Sequence, residues 1–236
     1  VWRRYRDERF PYLFGGCGAW SAYLGYHRRT RQRGDTPPCK NRIGENTTPF
    51  LIMILIFSAP SGAGKSTLVN YLLGKRHDLE FSISATTRAP RGQEQNGKEY
   101  YFITNQEFEK LIAENKLVEW EQVYSGTYYG TLKSEIERIE SAGHHVVFDV
   151  DVKGGINLKR IFGDRAKSFF VAPPSVEELR KRLIGRATDS MEKIEERVAK
   201  AATEMQDASH FDCIIVNDNL DSAKAQLDKE IAAFLG

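Results

Sequence analysis

From Met53 to the end of the chain, short apolar runs alternate with amphipathic stretches. Runs of β-branched and aromatic residues between polar residues are typical of buried strands, whereas apolar positions three or four residues apart indicate helices. The alternation of the two patterns predicts βαβ units around a mostly parallel sheet. The predicted buried strands are Ile54 to Ser58, Phe81 to Ser84, His145 to Val150, Ser168 to Val171 and Cys213 to Val216.

Capping residues predict where several helices begin and end. Gly74 is expected to end the helix that follows the first strand. Thr104 with Glu107, and Ser175 with Glu178, have the spacing of a capping box, which closes the first turn of a helix. The predicted helices are Ser66 to Leu73, Gln106 to Glu114 and a segment that runs from Ser175 toward Gly185.

The first 52 residues differ from the rest, since residues 1–49 show neither helical nor strand periodicity. Three interpretations stay open: translated sequence upstream of a start at Met53, a disordered or processed leader, and a functional basic arm. The sequence favours the first. An organelle transit peptide is disfavoured because such peptides avoid acids. The acidic residues of this region are Asp7, Glu8, Asp35 and Glu45.

Composition limits the classes of protein that fit. A chain of 236 residues, 41% apolar and 28% charged, suits one α/β domain. Residues 1–50 hold ten Lys or Arg against four Asp or Glu, so the basic excess lies outside the predicted domain and a nucleic-acid partner is disfavoured. Cys17, Cys39 and Cys213 suggest neither disulfides nor zinc. The apolar run Phe50 to Phe57 is far shorter than the roughly 20 residues of a membrane span.

A phosphate-binding loop is predicted between the first strand and the first helix. Its glycines, Gly62 and Gly64, allow backbone N–H groups to face a polyphosphate, and Lys65 adds a positive charge. Ser66 is the candidate magnesium ligand. A glycine-rich turn without a ligand is the alternative. The predicted ATP-binding loop is Ala59, Pro60, Ser61, Gly62, Ala63, Gly64, Lys65, Ser66 and Thr67.

Ala59 departs from the loop motif, whose first position is glycine. A small Cβ can be tolerated there, whereas a strained first turn would weaken ATP binding.

Four further motifs follow the loop, and together they give a family resemblance. They are Ser84 to Gly92, Tyr100 to Phe102, Glu119-Trp120 and Tyr128 to Thr131. With them, the chain from Met53 to its C-terminus resembles the guanylate kinases, a family of P-loop nucleoside-monophosphate kinases.

The resemblance implies an α/β fold with a central parallel sheet, a GMP-binding insertion and a helical lid. The implied parts are a core of residues 53–85 and 132–236, a GMP-binding segment of about 86–131 and a lid of about 182–197.

Arg88 and Arg91 lie in a proline-containing loop and are suited to bind a dianionic phosphate through paired hydrogen bonds. Tyr100 and Tyr129 would add hydroxyl donors to the same phosphate. The alternative is that both arginines lie on a solvent-exposed surface loop and bind no ligand.

Guanine presents two adjacent N–H donors, which one carboxylate can accept together, and Glu119 matches that need. The family resemblance adds Ser84, Thr131 and Asp151 to the base site. A surface acid at the end of a strand is the alternative for Glu119.

Asp149 and Asp151 end an apolar run, where carboxylates of a parallel strand face a ligand crevice. We assign Asp149 to magnesium through water and Asp151 to the guanine side. Helix capping by either acid competes with this assignment.

The lid residues are the next group. Arg182 and Arg186, four residues apart, share a helical face and are candidates to reach the transferred phosphoryl group, together with Arg197. Ala187 stands where the resembled family usually has Gly, so the hinge would be stiffer. A solvated helix face is the alternative. Asn217 resembles the family's adenine contact, although Asn is also a common turn residue.

The resemblance implies ATP-dependent phosphorylation of GMP to GDP with Mg²⁺ in the cytoplasm. The acceptor is itself a phosphate, largely dianionic at neutral pH, so no general base is expected. The partners are ATP and GMP, with dGMP and oligomeric state open and no nucleic acid or membrane. A kinase for another nucleoside monophosphate and a guanylate-kinase-like scaffold module are the rival functions. Glu119 argues against the first and Lys65 against the second.

Overall fold

The computed structural model describes residues 51–124, 126–185 and 190–236. The predictions made for the leader, for Arg186 and for the Ala187 hinge lie outside these residues, apart from Leu51 and Ile52. The strands are β1 (Ile54–Ser58), β2 (Leu79–Phe81), β3 (Ala85–Thr86), β4 (Tyr101–Phe102), β5 (Leu117–Tyr124), β6 (Thr127–Leu132), β7 (His145–Asp149), β8 (Ala166–Ala172) and β9 (Cys213–Val216).

Seven α-helices connect these strands. They are α1 (Lys65–Lys75), α2 (Asn105–Ala113), α3 (Lys133–Ser141), α4 (Val152–Phe162), α5 (Val176–Gly185), α6 (Met191–Glu204) and α7 (Leu220–Leu235). Two 3-10 helices, Gly163–Arg165 and Met205–His210, complete the elements of the described residues. None of the helices in these ranges has both the length and the apolar character needed to cross a membrane.

A five-stranded parallel sheet forms the centre of the domain, in the order β2-β7-β1-β8-β9. All five residues of β1 are buried because β1 is the middle strand with neighbours on both sides. The chain passes from β1 first to the β7 side and later to the β8 side. A ligand crevice is expected at the carboxyl end of β1, where the strand order reverses.

The two faces of this sheet bury different helices. On one face Leu55 and Phe57 of β1 pack in a cluster with residues of α1 and α7. On the other face Ile54 and Ile56 pack with α3 and α4. The period of two along β1 therefore supplies both halves of the core.

A smaller mixed sheet has the order β4-β3-β6-β5, and α2 packs against it through Phe108, which is fully buried. Its β5–β6 hairpin is antiparallel and pairs Glu119 with Thr131 and Glu121 with Tyr129. Residues directly opposite each other in an antiparallel pair lie on one face. One face of this hairpin thus presents four polar side chains.

Most predicted elements are present, several with bounds that differ by one or two residues, and two predictions of where an element ends were wrong for reasons outside the local sequence. The strand predicted from Phe81 to Ser84 is Leu79–Phe81, because the last contact with the sheet, from Ser82 N to Val147 O at 3.0 Å, is followed by a crossing to the second sheet. Gly74 does not end its helix, since Arg76 N donates to Leu72 O at 3.0 Å and the helix continues to Lys75. The Thr104–Glu107 capping box is confirmed, and Ser175 caps α5 through Glu178 N at 3.1 Å.

Candidate active site

The phosphate-binding loop, residues 59–67, connects the buried strand β1 to α1. Gly62 and Gly64 both have φ of 98°, in the left-handed region that favours glycine. The helix begins at Lys65 and has no side-chain cap. Its first N–H groups are therefore available to an anion, and the positive end of the helix dipole points the same way.

Ala59 fits the loop without backbone strain. Among the described residues, Asn115 is the one non-glycine residue with positive φ, so Ala59 is not in the left-handed region. The side chain is buried, with 8% of its surface exposed. Of the two alternatives for Ala59, the backbone therefore supports a tolerated Cβ over a strained first turn.

Lys65 contacts the carboxyl end of β7. Its Nζ donates to Val150 O at 2.8 Å and forms an ion pair with the Asp149 carboxylate. The lysine of the loop and the acid predicted for magnesium are therefore adjacent, at the end of the sheet where the strand order reverses.

Asn217 lies directly after β9 and its side chain contacts the phosphate-binding loop. Its Nδ2 donates to Ala63 O at 2.8 Å, and a Cβ on Gly64 would collide with that same nitrogen. The Asn217 carbonyl accepts from Arg182 at 2.9 Å. In this structure the Asn217 side chain therefore supports the phosphate loop, and its contact with adenine stays a prediction.

The guanidinium of Arg88 is almost fully used within the protein. It donates to both carboxylate oxygens of Glu94 at 2.7 and 2.8 Å, to Tyr129 Oη at 3.1 Å and to Ala89 O at 2.9 Å. Glu94 also accepts from Arg91 N at 2.7 Å. The Glu94 carboxylate thus occupies the paired donors that we predicted would hold a phosphate.

Tyr100 lies beside this group, with its ring 5.9 Å from that of Tyr129 between centroids. Burial, and then the charge of Asp149, raise the pKa of Tyr100 to about 12. Its hydroxyl therefore stays protonated and is a hydrogen-bond donor at neutral pH.

Glu119, which is partly buried, and Thr131 form a polar pair on the hairpin. Thr131, which is fully buried, donates through Oγ1 to Glu119 Oε1 at 2.8 Å. Burial raises the pKa of Glu119 to about 7, and Asp151 and Glu121 add to the effect. The carboxylate is held in one position and poorly hydrated, which is what a selective acceptor for paired N–H donors requires.

Asp151 caps α4, as the capping alternative predicted. Its side chain accepts from Gly154 N at 2.7 Å, and its carbonyl accepts from Ser58 Oγ at 3.0 Å. The same residue lines the site cavity, so capping fixes its position within the site.

A cavity of about 630 Å³ brings most of the predicted residues together. The predicted residues that line it are Ala59, Pro60, Ser61, Gly62, Gly64, Lys65, Ser66, Thr67, Ser84, Arg91, Tyr100, Glu119, Tyr129, Asp149, Asp151 and Arg197. Arg197 reaches it from α6 and donates to Ser61 Oγ at 3.3 Å. Arg88 and Thr131 do not line the cavity but donate hydrogen bonds to the lining residues Tyr129 and Glu119. Asn217 and Ala63 do not line it either, and Asn217 donates to Ala63 of the loop. Arg182 contacts Asn217 O instead of the cavity.

Four functional candidates were missed by the sequence analysis. Glu121 could have been found, because it lies two residues beyond Glu119 on the same strand face. Lys200 and Glu204 line the cavity at helical spacings from Arg197, and burial raises the pKa of Glu204. Glu94 gave no sequence signal, since its pairing with Arg88 depends on the path of the loop.

Comparisons with known proteins agree with this geometry. The guanylate kinase family model matches residues 52–234. A guanylate kinase of Bacteroides thetaiotaomicron is 55% identical over 182 residues, covering 77% of this chain and 89% of the relative. One of Porphyromonas gingivalis is 54% identical over 183 residues, covering 77% and 97%. The crystal structure of guanylate kinase from Anaplasma phagocytophilum has a TM-score of 0.63 at 29% identity, covering 78% of this chain and 86% of that one.

The fold and the cavity together define a P-loop nucleoside-monophosphate kinase. The phosphate loop lies where the strand order of the parallel sheet reverses, and the polar hairpin lies across the cavity from it. Within that class, the chain belongs to the guanylate kinase family. It is an enzyme, a nucleotide-binding transferase.

Proposed function

We propose that this chain transfers the γ-phosphoryl group of ATP to the phosphate of GMP through the residues of the cavity, in cytoplasmic purine nucleotide metabolism. The reaction is the ATP-dependent phosphorylation of GMP to GDP. One observation carries the assignment of the site: the same cavity is lined by the phosphate loop and by Glu119, whose carboxylate is fixed by Thr131. Family membership supports the choice of substrates.

The base of GMP lies against Glu119. Its carboxylate accepts N1–H and the exocyclic amine of guanine, while Thr131 keeps the acceptor oriented and Ser84 and Asp151 complete the contacts. Adenine offers no such donor pair, so it would leave a buried carboxylate unpaired. A site built around a hydrogen bond can discriminate against a base lacking it by as much as roughly 10⁴.

The phosphate of GMP lies near Arg91, Tyr100 and Tyr129. Arg88 enters this shell when the phosphate replaces the Glu94 carboxylate, since both are anions that accept paired N–H donors. The protonated Tyr100 hydroxyl is a neutral donor. The phosphate of GMP therefore meets two kinds of donor, guanidinium N–H and phenolic O–H, in a small volume, which orients GMP for transfer.

The polyphosphate of ATP lies on the N-terminus of α1, with Lys65 as the mobile cation of the loop and Asn217 on the adenine side. Mg²⁺ is the metal we propose. Ser66 and Asp149 offer oxygen ligands on the same cavity, and no group of three or more His, Cys, Asp or Glu in the described ranges forms a metal site by itself. Ser66 would hold Mg²⁺ directly and Asp149 would hold it through water, and the metal would supply positive charge that neutralises the phosphates.

Catalysis follows from positioning and from neutralisation of charge, because the acceptor needs no general base. Lys65 and the arginines hold both phosphates in line. Residues of about 86–131 and of about 182–197 close over the nucleotides and exclude water, which would otherwise hydrolyse ATP. Arg197 already contacts the loop, whereas Arg182 turns from Asn217 O toward the phosphates and is joined by Arg186.

ADP formation by the full chain with Mg-ATP and GMP, AMP, CMP or UMP tests this function. We expect rapid turnover with GMP alone and loss of turnover in Lys65→Ala. Equal rates with AMP would remove Glu119 from base selection. Binding of GMP without ADP formation would favour the rival scaffold module and refute the kinase.

A further inference from the structure

The cavity face of the β5–β6 hairpin carries a second carboxylate, Glu121, beside the base-selecting Glu119. The two residues are two positions apart on β5, so they share a face and lie roughly 7 Å apart along the strand. Directly opposite them on β6 are Tyr129, facing Glu121, and Thr131, facing Glu119. Both carboxylates line the cavity.

The two ends of this face have different chemistry. The Glu119 end is the base end, because Thr131 fixes that carboxylate as an acceptor. The Tyr129 end is the phosphate end, because the Tyr129 hydroxyl contacts the guanidinium of Arg88. The ribose of a bound mononucleotide lies between its base and its phosphate. Glu121 lies opposite Tyr129, whose hydroxyl reaches on to Arg88, and the Glu121 carboxylate contacts the guanine-side Asp151, so it lies between the two ends, beside the ribose.

Half of the Glu121 carboxylate has no hydrogen-bond donor within the described part of the chain. Oε1 pairs with Lys153 Nζ at 3.2 Å, whereas Oε2 is buried and unpartnered. The Asp151 carboxylate is within hydrogen-bonding distance of Glu121 and already accepts from Gly154 N, so two acceptors face each other until one takes a proton or a ligand brings a donor. Burial, and then Asp151, raise the pKa of Glu121. A buried acceptor without a donor calls for an explanation in a folded protein.

A ligand that supplies a donor at this position would satisfy the oxygen. The donors of GMP are N1–H and the two amine hydrogens of guanine, which Glu119 and the guanine-side Asp151 accept, and the 2′ and 3′ hydroxyls of ribose. Its ether and phosphate oxygens are acceptors, which an ionised carboxylate would repel. The ribose hydroxyls are therefore the donors left for Glu121.

We propose that Glu121 accepts a hydrogen bond from a ribose hydroxyl of GMP and makes the enzyme select ribonucleotide over deoxyribonucleotide acceptors. The inference rests on the assignment of this cavity to GMP. A hydrogen bond to a charged acceptor corresponds to roughly tenfold to hundredfold in kcat/KM between a sugar that has the hydroxyl and one that lacks it.

Steady-state kinetics of the full chain with GMP, 2′-deoxy-GMP and 3′-deoxy-GMP tests the proposal. The variants are Glu121→Ala and Glu121→Met, the second of which keeps the length of the side chain without its oxygens. The matched control is Gln122→Ala, since Gln122 is exposed and points to the opposite face. Thermal denaturation of each variant verifies that it is folded.

The wild type should discriminate against one deoxy analogue by tenfold or more, and the analogue affected identifies the hydroxyl. In both Glu121 variants kcat/KM for GMP should fall, mainly through KM, to the value for that analogue, so the preference collapses to about one. Gln122→Ala should keep the wild-type preference. An equal fall for all three substrates, or a wild type without any preference, would overturn the proposal. A wild type that does not phosphorylate GMP would refute the proposed function itself and this inference with it.

Discussion

The carboxylate of Glu119 is surrounded by protein and lies near two other acids, so its ionised form is disfavoured until a ligand brings donors. Its pKa of about 7 exceeds the ordinary value of 4.5. For an acid with a raised folded pKa, the native state binds more protons than the unfolded state between these two values, and stability falls as pH rises through that window. The residue that we propose as the base-selecting acceptor therefore destabilises the free protein at neutral pH.

Glu119→Gln should stabilise the protein more at pH 8 than at pH 5. The free energy of unfolding of the variant relative to wild type should be roughly 2 to 3 kcal/mol higher at pH 8 than at pH 5, because the variant has no charge to bury. Urea denaturation at both pH values measures it. The same variant should lose most of its kcat/KM for GMP, and an equal stability at both pH values relative to wild type would contradict a raised pKa.

Gly64→Ala should weaken ATP binding by at least roughly tenfold, because the left-handed backbone disfavours a side chain and the added Cβ collides with Asn217. Isothermal titration with a non-hydrolysable ATP analogue measures the affinity. Gly74→Ala is the matched control, since Gly74 lies within α1 with open space around it. That control should keep the affinity and gain about 0.5 to 1 kcal/mol of stability.

The site was partly predictable at this scale. The phosphate loop follows from local residue types, and Glu119 from the donor pair of guanine. The occupation of Arg88 by Glu94 could not be predicted, since it depends on how the loop from Arg88 to Glu94 turns back on itself. The hydrogen bond from Asn217 to Ala63 of the loop could not be predicted either, because it joins residues 154 positions apart and leaves no local pattern.

Helix α3 is tied to the link between the two sheets by one buried acid, Glu135. It accepts from Ile83 N at 3.1 Å, from Tyr101 Oη at 2.9 Å and from Arg138 at 3.0 Å. Burial disfavours its ionised form, but these hydrogen bonds outweigh burial and hold the pKa of Glu135 below its usual value. The acid thus fixes the crossing from β2 to β3 and the outer strand β4.

Glu135→Ala should lower the free energy of unfolding by roughly 3 kcal/mol or more, because it leaves Arg138 and a buried N–H without their partner. Denaturant titration measures the loss. Glu137→Ala, an exposed position on the same helix, should change stability by no more than about 0.5 kcal/mol. Equal effects of the two substitutions would show that Glu135 does not hold the crossing.

Elements with strong local patterns were predicted within a residue or two. The fully buried β1 has the predicted bounds, as does β9. The two-residue strands β3 and β4 carry too little pattern to be predicted, because their pairing with β6 and with each other is made by distant parts of the chain. The local sequence pattern also does not show that β2 ends at Phe81 or that α1 continues past Gly74, because both depend on hydrogen bonds made in the folded chain.

At the scale of the whole molecule, the proposed sites of the two nucleotides share one cavity, so each nucleotide should stabilise the fold. GMP at about 100 times its dissociation constant should add roughly 2.7 kcal/mol, which for a domain of this size is a rise in Tm of roughly 5 to 10 °C. AMP at the same concentration should give a much smaller shift. Thermal denaturation of wild type and Glu119→Ala measures this, and a GMP shift retained in the variant would contradict the base assignment.

The contact between Asn217 and the phosphate loop makes two distant positions genetically dependent on each other. The space that excludes a Cβ at Gly64 is filled by the Asn217 amide, so the substitution tolerated at one position depends on the residue at the other. Asn217→Gly should therefore act as a partial suppressor of Gly64→Ala: it removes the collision but leaves the left-handed backbone. The effect of a substitution at position 64 or 217 on ATP binding therefore depends on which residue occupies the other position.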